Sequence, residues 1–186
     1  TGPTGSYSGS DLARQLTVTA SFIICIIGSV IGVGVFGGTP IAEAAGGALS
    51  ADATYLAPAS PAFSIWSVIY TGLGAYTIYQ WLPSQRTSNR QRRLGWLVAA
   101  SLILNAAWIL VVQLDLIWLS VAVIVALLIT LIVVFRLLLS APPRSVAEAV
   151  VVDGTMFLYL GWVCVAVAAN VSAALVSAGY DTLGLG

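Results

Sequence analysis

Long unbroken runs of apolar residues, parted by short polar or glycine- and proline-bearing breaks, dominate this chain. A helix that crosses a bilayer needs about 20 mostly apolar residues. Five stretches meet that length, at residues 16–36, 61–82, 94–113, 116–139 and 149–171. None alternates with the two-residue period of a barrel strand, so helices are the expected element in lipid. The breaks have chemical causes. Gly37, Gly38 and Pro40 open a loop of small residues that reaches Ser60, and Pro83 with the run SQRTSNRQRR parts the second and third stretches. Asp115 marks a very tight turn between the third and fourth, and Ala141-Pro142-Pro143-Arg144 ends the fourth. Short connections make neighbouring helices antiparallel. The expected fold is an all-α integral membrane protein, a five-transmembrane-helix bundle, with a segment 1–15, a membrane domain 16–176 and a tail 177–186.

Composition agrees. Apolar residues make up 59% and charged residues 8%, with a mean hydropathy of +1.00. A soluble domain carries about a quarter charged residues, so the expected surroundings are the lipid bilayer. Net charge is zero and no basic tract occurs, which leaves nucleic-acid binding nothing to rest on. There is no His, and Cys25 and Cys164 both lie inside apolar runs. That removes the usual zinc and haem ligation patterns, so no metal site is expected. No nucleophile elbow or catalytic constellation is present either, and no catalytic residue is assigned.

Charge then orients the bundle. Lys and Arg together number seven, all of them arginine. Arg14 precedes the first stretch, Arg86, Arg90, Arg92 and Arg93 lie between the second and third, and Arg136 and Arg144 flank the end of the fourth. With five spans these positions share one side, while the other carries Glu43, Asp52, Asp115 and Asp181. Cytoplasmic loops collect arginine, so the N-terminus is expected in the cytoplasm and the C-terminus outside, in a bacterial inner membrane.

The aromatic residues divide by depth. Trp81, Trp96 and Trp118 sit at span ends, where interfacial tryptophans collect. Trp66, Trp108 and Trp162 lie deeper. Trp66 and Tyr70 share a face one turn apart. Asn105 and Trp108 likewise share a face, and Tyr159, Trp162, Ala166 and Asn170 run up the fifth stretch. An amide in hydrocarbon should face the bundle interior. In the up-down order these groups meet in the outer half, where an apolar aromatic cavity with a few polar groups is the default binding site. The plainer alternative has Asn105 and Asn170 merely bridging helices. Gly28 and Gly32 form a small-residue face for helix packing, within the chain or in a homodimer. Asp153 reads as an acid in the first turn of a helix, favoured there by the dipole.

At this point the residues resemble the tryptophan-rich sensory protein family, also called the translocator protein or peripheral benzodiazepine receptor family (TspO). Asn105-Ala106-Ala107-Trp108 looks like its N-x-x-W. Tyr159-Leu160-Gly161-Trp162, with Ala166 and Asn170, looks like its Y-L-x-W-x-x-x-A-x-x-x-N. Phe63-Ser64-Ile65-Trp66, then Tyr70, is similar to its F-P-x-x-W-x-x-x-Y with one residue fewer between Phe and Trp. The resemblance covers roughly residues 18–172. It implies a five-helix bundle, often dimeric, with a pocket closed by the first loop and lined by Phe63, Trp66, Tyr70, Asn105, Trp108, Tyr159, Trp162, Ala166 and Asn170. The ligands it implies are porphyrins and other tetrapyrroles, and sterols in animal members. Some bacterial members are reported to break down porphyrin in light with pocket tryptophans, for which Trp66 and Trp162 would be the counterparts.

Departures narrow this. The family's first loop usually carries W-x-P-P with basic residues, whereas here it reads TYLAPASPAF with neither Trp nor cation. An anionic tetrapyrrole loses a charge partner there. The sterol pattern needs Tyr and then a cation after the fifth-span Asn, but Val171 follows Asn170 and no basic residue comes later. The expected function is a membrane receptor or transport carrier for a hydrophobic small molecule such as a porphyrin, with no certain cofactor. An accessory subunit of a larger membrane complex and Trp-assisted photo-oxidation of a bound porphyrin are the alternatives.

Overall fold

The computed structural model describes residues 6–32, 49–50, 62 and 64–180, and the regular structure among them is helical. The elements are α1 (Gly9–Gly32), α2 (Ile65–Tyr79), α3 (Pro83–Arg86), α4 (Asn89–Gln113), α5 (Ile117–Ser140), α6 (Val146–Glu148), a π-helical segment (Ala149–Gly154) and α7 (Thr155–Ser177). Among the described residues, four helical runs are long and apolar enough to cross a membrane: α1, α4, α5 and the continuous rod Val146–Ser177. The second stretch contributes α2, which has 15 residues and begins where residues outside the described set end.

α1 packs on α4, α4 on α5 and α5 on α7, while α2 lies against both α1 and α7, so the helices close in a ring. Val18, Leu73, Leu102, Leu127 and Val163 fill the middle. Ile27, Val68, Ile78, Leu119 and Ile129 point outward and stay exposed. Apolar residues on both faces are what a lipid solvent permits and water does not.

Polar contacts at helix ends set the up-down order. Arg92 donates from Nε and Nη2 to the two carboxylate oxygens of Asp11, each at 2.7 Å, which brings the starts of α1 and α4 together. Gln15 Nε2 donates to the Gln80 carbonyl at 2.8 Å, and Arg14 reaches Gln80 Oε1 and the Arg86 carbonyl, which places the end of α2 beside them. Arg90 donates from Nε to the Ala141 carbonyl at 2.8 Å, from Nη1 to Glu148 at 3.1 Å and from Nη2 to Asp153. The end of α5 and the start of the last rod therefore meet the start of α4. All seven arginines lie at this one end. Buried polar groups need such partners because an unpaired one costs about 1–3 kcal/mol, and Arg14, Arg90, Gln91, Glu148 and Asp153 are all buried.

Helices outrun the apolar stretches at this end. α1 begins at Gly9 because Ser8 and Asp11 cap each other: the Ser8 amide donates to Asp11 at 3.1 Å, and the Asp11 amide donates to Ser8 Oγ at 3.4 Å. Asp11 lies ahead of the apolar stretch. The Arg92 guanidinium, helped by Ser8, holds its carboxyl well below the usual carboxylate range. Asp153 lies in the π-helical segment, and its partner is Arg90 in place of a helix dipole. At the far end, Asp115 takes φ 58°, a left-handed conformation that Asp tolerates. Its amide bonds the Val112 carbonyl and that of Leu116 bonds Val111, which makes the very tight α4–α5 turn.

α2 meets α7 tightly at Gly72. A β-carbon on Gly72 would stand 2.5 Å from Thr155 Oγ1 and 2.8 Å from its Cγ2. Overpacking of this kind costs about 1–3 kcal/mol. Gly72→Ala is expected to lower the melting temperature in detergent, and adding Thr155→Ala should recover most of the loss. Equal melting of Gly72→Ala and the parent protein would show that the two helices have room to spare.

Candidate functional site

Trp66 stands at the centre of the aromatic residues. Its ring stacks on Tyr70 at a centroid distance of 5.2 Å and 18° between planes. It meets Tyr159 and Trp162 edge-on, each at 6.2 Å. Such offset and edge geometries suit the ring quadrupoles. The helix period puts Trp66 and Tyr70 on one stripe of α2 and Tyr159 and Trp162 on one stripe of α7, and the α2–α7 contact turns the stripes together. Ala166 is half-buried one turn beyond Trp162 and packs against the core.

Asn105 of α4 borders the cluster at Tyr70. Its Nδ2 donates to the Tyr70 hydroxyl oxygen at 3.0 Å and to Cys25 Sγ at 3.2 Å, so three helices meet at one amide. Asn105 is buried, and its Oδ1 has no hydrogen-bond partner among the described residues. Turning the amide over exchanges donor and acceptor yet leaves the same corner of the side chain unmatched. A buried amide lacking one partner has spare capacity for a hydrogen bond from or to a ligand. The Tyr159 hydroxyl, by contrast, spends itself on the Ser101 carbonyl at 3.4 Å.

A second polar group lies nearer the Asp115 turn. Trp108 Nε1 donates to Asn170 Oδ1 at 2.7 Å, Asn170 Nδ2 donates to Ser120 Oγ at 3.0 Å, and the Ser120 hydroxyl donates to the Ile117 carbonyl at 2.6 Å. Trp108, Asn170 and Ser120 are all buried. Each of the three makes its hydrogen bonds inside the protein, and the group ties α4, α5 and α7 together.

The residues expected in one pocket therefore form two groups. Trp66, Tyr70, Asn105, Tyr159 and Trp162 come together, with Ala166 adjoining them. Trp108 and Asn170 make the separate tie. Phe63 lies outside the described residues, as do Glu43 and Asp52 of the first loop. Gly28 faces Ala106 of α4: a β-carbon on Gly28 would stand 3.4 Å from the Ala106 Cβ. Gly32 is buried in α1. Trp96, about two turns into α4, and Trp118, at the start of α5, are exposed, while Trp81 donates to Thr19 Oγ1 at 3.1 Å. Both cysteines are free. Sequence reading missed Cys25 and Ser120 as partners of the two asparagines. The up-down order was a usable signal for Ser120, since it puts the first turn of α5 level with Asn170, but a lone Ser is common in any helix.

Among families of known proteins, the one described as TSPO-like protein matches residues 15–186. No curated protein and no solved structure matches the chain.

The Trp108–Asn170–Ser120 tie makes a stability prediction. Asn170→Leu strands the buried Trp108 N–H, while Ser120 keeps its bond to the Ile117 carbonyl, and should cost about 1–3 kcal/mol, read as a lower melting temperature in detergent. Trp108→Phe combined with Asn170→Leu should lose less than the sum of the single changes. Strict additivity would mean that the indole and the amide are not coupled.

Proposed function

The chain belongs to the TSPO-like protein family, and from that premise we propose that it is a membrane receptor or carrier of the TspO type. Its ligand is a flat hydrophobic molecule of the tetrapyrrole class, held in a bundle of five spans among Trp66, Tyr70, Asn105, Tyr159 and Trp162. The observation that carries this reading is the aromatic cluster around Trp66, set beside a buried amide with one unmatched polar atom. Indole and phenol rings offer stacking area to a macrocycle, and Asn105 offers a hydrogen bond to a ring nitrogen or a substituent. The ligand parts Trp66 from the rings that it now touches.

In this reading the arginine-bearing end faces the cytoplasm and the cluster opens to the other side. Protease added to sealed right-side-out vesicles should leave an N-terminal tag intact and remove a C-terminal one. The reverse pattern would overturn the orientation.

Binding is tested by titrating the purified protein with a porphyrin while following tryptophan fluorescence. Quenching should saturate, and Trp66→Phe or Trp162→Phe should weaken affinity about three- to tenfold through lost ring contacts. Quenching that never saturates, or unchanged affinity in both folded variants, would sink the reading. Loss of pigment only under illumination, at sub-stoichiometric protein, would show photo-oxidation in place of carriage.

A further inference from the structure

The protons around Asn105 decide which way its amide faces. Ser29 Oγ donates to the Cys25 carbonyl at 2.8 Å. A hydroxyl has one hydrogen, so toward the Tyr70 hydroxyl, its other hydrogen-bond partner, Ser29 can only accept. The Tyr70 proton is spent on Ser29, and the Tyr70 oxygen is left as an acceptor. Asn105 must therefore meet it with Nδ2, whose two hydrogens go to Tyr70 at 3.0 Å and to Cys25 Sγ at 3.2 Å.

The turned-over amide fails on a second count. As it stands, one buried carbonyl oxygen, Oδ1, is unmatched among the described residues. Turned over, the side chain would strand two N–H hydrogens in the same place, and orphaned buried N–H groups are rarer than under-satisfied carbonyls. The open position of Asn105 is thus an acceptor. What completes it must bring a hydrogen.

We infer, on the receptor or carrier reading above, that Asn105 is a specificity-determining residue of the proposed pocket. Its Oδ1 selects a ring that presents an N–H, a metal-free macrocycle, over the same ring with a metal in place of its N–H hydrogens. The chain's donor set agrees. A ring-bound metal is held from the protein side most often by imidazole, thioether or thiolate. The chain has no His, its one Met, Met156, is buried in the core, and the Cys25 sulfur already takes an Asn105 hydrogen. Tyr70 acts through Asn105, as the positioning residue that fixes the amide.

The test titrates the purified full chain, by tryptophan quenching, with one porphyrin as the free base and as its palladium(II) complex. The two share periphery and charge, and square-planar palladium takes no axial ligand, so they differ in the ring N–H groups. The free base should bind about three- to tenfold tighter, the weight of one net hydrogen bond. Asn105→Leu should bring the ratio to about one by weakening the free base alone. Tyr70→Phe removes one oxygen, keeps a ring against Trp66 and frees the amide to turn. It too should shrink the ratio, and it decides the matter if Asn105→Leu does not fold. Trp66→Phe should weaken both forms alike and leave the ratio standing. Saturable binding of the two forms with equal affinity overturns this inference while the receptor reading stands. A parent-like ratio in folded Asn105→Leu or in Tyr70→Phe overturns it as well. Saturation by neither form sinks that reading and this inference with it.

Discussion

The Arg90 guanidinium sits where three helix ends converge, and much of the bundle's geometry hangs on it. It is buried with two carboxylates and a backbone carbonyl around it. A buried cation stripped of such partners is costly, since breaking a buried pair leaves an uncompensated charge. Arg90 therefore commits α4, the end of α5 and the π-helical segment to one arrangement. Asp153 is part of that segment, and Thr155 follows it closely. The ion pair thus helps to set the height and rotation at which α7 meets Gly72 of α2, and hence where Tyr159 and Trp162 arrive beside Trp66.

The two ends of the bundle satisfy their buried polar groups by different chemistry. At the arginine-bearing end the partners are ions and amides: Asp11 with Arg92, Gln15 with Gln80, and Tyr76 with Gln91 at 3.0 Å. At the end marked by Asp115 they are neutral, an indole, an amide and a hydroxyl. Neutral groups cost less to bury than ions, so the second end can close without bringing charge into the apolar core. Between the ends, the Asn105 amide keeps one polar atom unmatched among the described residues. Its position, level with the aromatic cluster, makes the polar deficit and the ring surface parts of one feature.

Much of this was legible in the chain. Apolar run length gave the membrane helices, because the bilayer imposes a length that composition alone must meet. The spacing of Trp66 with Tyr70 and of Tyr159 with Trp162 gave two aromatic stripes, because the helix period is local. Less legible was whatever depends on which polar group chooses which partner. Trp108 and Asn170 lie on the expected side, yet they pair with each other and with Ser120, and no spacing rule reports a preference among neighbouring donors. The helix starts were also hidden. Hydropathy measures contact with lipid, while α1 and α4 continue through Gly9–Asp11 and Asn89–Arg93, where capping and ion pairs sustain the helix in polar surroundings. The π-helical segment has no signature in the sequence, and it is what puts Asp153 within reach of Arg90.

Charge placement bears on what the proposed pocket can hold. All seven arginines gather at one end, and the described residues around Trp66 include none of them. A ligand seated there with ionised carboxylates buried would find no counter-charge, and an isolated carboxylate in a low-dielectric site is disfavoured by many kcal/mol. Recognition at the cluster must then rest on ring area and on the single open position of Asn105. A macrocycle that binds here does so with its apolar face inward and any acid groups directed out toward the headgroups. That places the selectivity of the proposed site in shape and in one hydrogen bond, with the arginines gathered at the opposite end.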